Sequence, residues 1–151
     1  MKEAQKTFIS STFWTERIGY VAGLATLKEM KKTQSWKIIT KNGAYVKKLW
    51  RQIADYNDLN INIGGLDALP IFNFDNKNLE YKTLIIQEML KKNYLVSNVI
   101  YLSTLHNKQV IDKYIFEMNK IFKIIKKCEE GDKIQKYLKH KVCFSPFDRL
   151  N

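Results

Sequence analysis

Three consecutive hydroxyl side chains, Ser10, Ser11 and Thr12, stand a few residues ahead of a long apolar run. Hydroxyls and backbone N–H groups just before a helix are suited to holding an anion. The first N–H groups of a helix have no internal acceptor and lie at the positive end of its dipole. A phosphate group would fit such a cradle. The same residue types also serve as ordinary caps and turns, and the pattern by itself leaves both readings open.

Other positions invite a chemical reading beside a structural one. Asn98, in "SNVIYLS", is a pocket-lining amide or a turn residue. His106, in "LSTLHN", has the side chain whose ordinary titration lies nearest neutrality, but the sequence offers it no evident acid partner, and its place near a helix start favours a structural role. Glu16 and Arg17 are an interfacial pair or a solvated first turn, and Tyr101 and Trp14 line a pocket or pack. Cys128 and Cys143, the two cysteines, show neither metal-ligand spacing nor a nucleophile arrangement with His or Asp. No catalytic residue and no metal ligand is therefore assigned.

The elements that must position these groups follow from the apolar pattern. From Thr15, a plausible N-cap, to about Lys32 the sequence predicts a helix. Between Tyr20 and Leu27 every residue is apolar or small, which leaves no solvent face and predicts burial on most sides. A second helix is expected from Ser35, with Trp36, Ile39, Val46, Leu49, Trp50 and Ile53 at three-to-four-residue spacing, unless Asn42 and Gly43 break it. In "NINIGGLDALPIFNFD" two alternating runs read as antiparallel strands, turned at Gly64 and Gly65. A helix over 78–93, a strand or broken pair of strands in "YLVSNVIYLS", and a long helix follow. That last helix carries Val110, Ile111, Tyr114, Ile115, Met118, Ile121, Phe122 and Ile125 and is stopped at Gly131. A short helix over 134–138 and an irregular tail finish the order. It describes an α+β unit: a short, mostly antiparallel sheet with helices packed on it.

Composition bounds the partners. The 151 residues are 45% apolar and 13% aromatic, enough for one folded core. The net charge of +11 attracts polyanions. No arginine–aromatic cluster or known binding motif accompanies it, and the lysine pairs at 31–32, 47–48, 91–92 and 126–127 fall where helices should end. A small basic nucleic-acid-binding or non-catalytic interaction domain is the alternative reading. No apolar run approaches the roughly 18 residues of a membrane span, and the polar N-terminus lacks a leader's apolar core, so a soluble cytoplasmic protein with reduced thiols and no membrane partner is expected.

"TFISSTFWTERIGYVAGLATLKEM" resembles a segment of the class-III pyridoxal-phosphate aminotransferases, in particular the branch like glutamate-1-semialdehyde 2,1-aminomutase, contiguously over about two dozen residues. "LPIFNFD", then "YKTLIIQEMLKKNYLVSNVIYLSTLHNKQVIDKYI", then "VCFSPFDRLN" resemble later parts of such enzymes in the same order. The resemblance implies the C-terminal small domain of a fold-type-I pyridoxal-phosphate transferase. Residues 1–34 would be the end of the large domain with its interface helix, and 35–151 the small α+β domain. It implies that Ser11 and Thr12 contact the phosphate of pyridoxal 5'-phosphate held by the other subunit of a dimer, and that Asn98 falls loosely in a substrate-lining region. The substrate would be a small amino acid or oxo compound. In the family the Schiff-base lysine, the aspartate under the pyridine nitrogen and the Gly-rich phosphate turn precede this segment. None has a counterpart here, so the expectation is the C-terminal part of an enzyme, inactive alone and working as a homodimer or with a complementing large-domain chain.

Overall fold

A computed structural model describes residues 16–143. They fall into two units divided after Gln34. The first consists of α1 (Arg17–Thr33), closed by Gln34 in the left-handed conformation, with Lys31 and Lys32 in its last turn where cations favour the dipole. Its N-cap is Glu16, which makes no side-chain cap; Thr15, expected in that place, lies outside the described residues. No residue of α1 is buried, contrary to the burial its composition predicts. Ile18, Tyr20, Val21, Leu24 and Leu27 are each 61–74% exposed. A helix apolar all round needs neighbours on every side to be buried.

The second unit is built on α2 (Ser35–Tyr56), β1 (Ile61–Leu66), β2 (Leu69–Phe74), α3 (Asn78–Leu90), α4 (Lys108–Glu129) and a 3₁₀ turn (Ile134–Lys136). Asn42 and Gly43 do not break α2. Gly43 is buried against the tip of the β1–β2 hairpin, where an added Cβ would come within 1.5 Å of the Asp67 carbonyl oxygen. Helix and hairpin approach closely only because that position has no side chain. Lys47, one turn further on, donates to the Gly65 carbonyl and to Asp67 Oδ1, each at 2.8 Å. The pair Lys47 and Lys48 thus sits within α2, not at its end.

The strands are antiparallel, with Ile63 opposite Phe72 and Leu66 opposite Leu69, so the chain reverses at Asp67 and Ala68. Gly64 and Gly65, expected to make that turn, are strand residues facing Ile71 and Pro70. Gly65 uses its conformational freedom inside β1, at φ +74°, where a Cβ would come within 2.4 Å of the Leu69 carbonyl oxygen.

The expected third strand is an extended segment, 98–102, running antiparallel along β2. Phe72 N–H donates to the Asn98 carbonyl (3.0 Å), Ile100 N–H to Pro70 (3.1 Å) and Leu102 N–H to Ala68 (3.3 Å). Only Ile71 and Val99 form a regular bridge. Pro70 has no N–H to return, which leaves the ladder one-sided and the segment irregular.

Helices α2 and α3 each pack against α4 and against the hairpin. Trp50, Phe72, Phe74, Tyr81 and Phe122 meet in the core in edge-on contacts, the closest with centroids 4.7 Å apart between Trp50 and Phe72. In β2, Pro70, Phe72 and Phe74 point inward at period two. The apolar stripe of α4 is buried from Ile111 through Cys128, whereas Val110 at its N-terminal end is largely exposed. Asn107 caps this helix by accepting from the Val110 N–H at 3.1 Å. The result is the α+β architecture expected from the element order. No helix among the described residues is long and apolar enough to cross a membrane.

Candidate functional site

The hydroxyl run, Ser10, Ser11 and Thr12, lies outside the described residues, as does Trp14. What is described is the helix start that follows. Glu16 has extended backbone, Arg17 is the first helical residue, and the first turn carries no acidic side chain. The exposed first turn of α1 thus presents a positive dipole end, with the carboxylate of Glu16 at its N-cap.

Asn98 is held in the sheet. Its side-chain amide donates to the Phe72 carbonyl oxygen at 3.2 Å and to Asn73 Oδ1 at 2.9 Å, and its Oδ1 accepts from the Ser97 hydroxyl at 3.1 Å. The first of these takes up a strand carbonyl that the one-sided ladder leaves over. Nothing in the sequence pattern marks that function, because it depends on register with β2.

Val99, Ile100, Tyr101 and Leu102, in contrast, border an apolar cavity of about 400 Å³ between the extended segment, α2 and the N-terminal half of α4. His106 borders it too. Its Nδ1 accepts from the Ser103 N–H at 3.1 Å, and its carbonyl accepts from Asn42 Nδ2 at 2.8 Å, so His106 ties the loop before α4 to α2. Among the described residues, no acid is hydrogen-bonded to the imidazole.

The polar contacts of the core were hidden in the sequence within apolar stripes. Trp50 Nε1 donates to the Tyr114 hydroxyl at 3.1 Å. Burial pushes ionisation of Tyr114 far above the ordinary tyrosine range, with the Trp50 hydrogen bond acting weakly in the other direction, so the hydroxyl stays protonated. Tyr81 is shifted the same way, by burial first and by its hydrogen bond to Glu129 second. Asn57 donates to the Ile53 carbonyl oxygen and to Asn119 Oδ1 at 2.7 Å, joining α2 to α4. Three-residue periodicity locates these side chains on inward faces but does not say which of them meet.

The cysteines stand apart from each other's environment: Cys128 is buried and Cys143 half-buried. Burial pushes the Cys128 thiol up, which makes it a poor nucleophile. Glu16 and Arg17 are both exposed. Asn57 is the one buried polar or charged side chain among the described residues, so no lysine there is buried. No group of three or more His, Cys, Asp or Glu among them is placed to hold a metal ion.

No protein-family model matches the sequence, and no curated protein matches it. The fold has a counterpart in the solved structure of the PLP internal aldimine form of the FumI protein of Sphingopyxis sp. MTA144. The similarity covers 89% of the chain at a TM-score of 0.67 and 15% sequence identity. The chain spans 33% of the length of that structure.

Proposed function

We propose that the chain is the C-terminal part of a pyridoxal-phosphate-dependent class-III aminotransferase or aminomutase, serving amino-group transfer to an oxo or aldehyde substrate. The observation that carries this reading is the fold shared, over 89% of the chain, with a protein whose solved form holds PLP. The order of sequence segments resembling the class-III enzymes supports the finer assignment.

Pyridoxal phosphate, when bound, supplies the electron sink for chemistry at an amino-bearing carbon. A lysine that carries it needs a dry setting that keeps its amine neutral and reactive. The described lysines, none of them buried, do not offer one. We therefore assign the cofactor-bearing lysine to a large domain outside the described residues, and to this chain a supporting part. Ser11 and Thr12 would donate their hydroxyls and amides to the phosphate, with the N-terminus of α1 and Arg17 contributing positive potential behind them.

A titration followed by NMR tests this assignment. With a complementing large-domain chain present, pyridoxal phosphate is expected to move the amide signals of Ser11 and Thr12, pyridoxal without its phosphate to leave them in place, and Thr12→Val with Ser11→Ala to abolish the response. Equal response to both compounds, or none at Ser11 and Thr12, would refute the phosphate contact.

A further inference from the structure

The cavity between the extended segment and α4 has features that the cofactor reading does not use. Its walls are apolar: Val46 of α2, Val99 and Ile100 of the segment, and Val110 and Ile111 of α4. None of its thirteen lining residues is Asp, Glu, Lys or Arg, in a chain that is 27% charged. Such a wall offers no compensation for a buried ion, so a charged occupant would lose its hydration without return.

Its polar side chains are the hydroxyls of Tyr94, Ser97, Tyr101 and Tyr114 and the imidazole of His106. Tyr114, only 6% exposed, lines the cavity, and its hydroxyl accepts from Trp50 while donating to no other described residue. An unspent donor in a buried setting is costly, and an acceptor atom would recover that cost in part. His106 accepts at Nδ1 from Ser103, which leaves Nε2 as the protonated nitrogen of its neutral ring. The Ser97 hydroxyl, by contrast, is already committed to Asn98. The volume of about 400 Å³ is within the ordinary range for small-molecule pockets and holds on the order of a dozen non-hydrogen atoms.

We propose that this cavity binds a compact, uncharged apolar molecule bearing a hydrogen-bond acceptor, a ring ketone or comparable carbonyl compound, with the Tyr114 hydroxyl and His106 Nε2 as its donors. The site is independent of any phosphate contact at Ser11 and Thr12 and stands whether or not that contact exists.

Three probes of one shape separate the contributions: 1-indanone, indane and indane-1-carboxylate, titrated into the chain and followed by the NMR signals of Val46, Ile111 and Tyr114. Indanone is expected to bind about fivefold more tightly than indane, the worth of one net hydrogen bond, and the carboxylate more weakly than either. Tyr114→Phe should lower the affinity for indanone toward that of indane, and Tyr114→Phe with His106→Phe should make the two equal. Val110→Trp, at a largely exposed position on the rim, should weaken both neutral probes at least tenfold without altering the rest of the spectrum; it keeps the test decisive if Tyr114→Phe disturbs folding by stranding Trp50. Equal binding of indane and indanone, preference for the carboxylate, indifference to Val110→Trp, or no response at the solubility limit of indanone would each overturn the proposal.

Discussion

Helices α1 and α4 have similar shares of apolar residues and opposite fates. In α4 the apolar residues recur at three and four, a polar face covers the rest, and eight of its residues are buried. In α1 the apolar and small residues run together around two turns, and none is buried. The contrast teaches that a stripe specifies one neighbour, which this chain provides with α2, α3 and the hairpin, whereas an apolar surface on all sides specifies several.

The largest expected difference comes from truncating one side chain in each helix. Phe122→Ala in α4 should cost about 3–5 kcal/mol in a denaturant titration, since Phe122 is fully buried in the aromatic core. Leu24→Ala in α1 should stay within about 0.5 kcal/mol in dilute solution. A cost of several kcal/mol at Leu24 under dilution would break the comparison.

Glycines sharpen it. Gly43→Ala drives a methyl into the Asp67 carbonyl and should destabilise by at least about 1–3 kcal/mol, the ordinary penalty of overpacking. Gly23→Ala, with nothing within 4 Å of the added methyl, should instead stabilise by up to about 1 kcal/mol through helix propensity alone. Calorimetric melting of the two variants gives both signs directly.

How much of this was readable from sequence follows the same division. The α4 stripe, the stop at Gly131 and the pairing of the two strands were legible because each depends on local spacing and turn chemistry. The hairpin tip was misplaced by three residues, since glycine marks conformational freedom without saying whether it serves a turn or a strand. Asn98 could be recognised as polar in an extended run, but its bond to Phe72 depends on the register that sets the two opposite each other. The exposure of α1 was illegible for a different reason: composition reports that a surface needs cover, not which polypeptide brings it. The fold class was therefore readable throughout the second unit, whereas the candidate phosphate contact rests on resemblance and on residues before Glu16.

A smaller effect is expected at the cap of α4. Asn107→Ala removes the acceptor for the Val110 N–H and should cost about 1 kcal/mol, while α1, whose Glu16 makes no side-chain cap, has no such bond to lose. Smallest is the response to acid. Hydrogen bonds from Lys126 to Asp58, and from Lys108 and Tyr45 to Asp112, hold these carboxyls below the ordinary carboxylate range. A folded pKa below the unfolded one contributes stability that is fully present above the unfolded value, near pH 4, and is lost as pH falls through the depressed value. The melting temperature should therefore drop on acidification below about pH 4. Asp58→Asn with Asp112→Asn should flatten that drop slightly, and an unchanged profile would remove these two pairs from the account.

We propose, as the resemblance to class-III enzymes implies, that the apolar surface of α1 serves a second protomer. Sedimentation equilibrium over a wide concentration range tests it most directly, comparing the native chain with Leu24→Glu. The account predicts concentration-dependent self-association of the native chain, and a monomer of unchanged thermal stability for the variant. A native chain that stays monomeric at every concentration, or a variant that associates equally well, would contradict it.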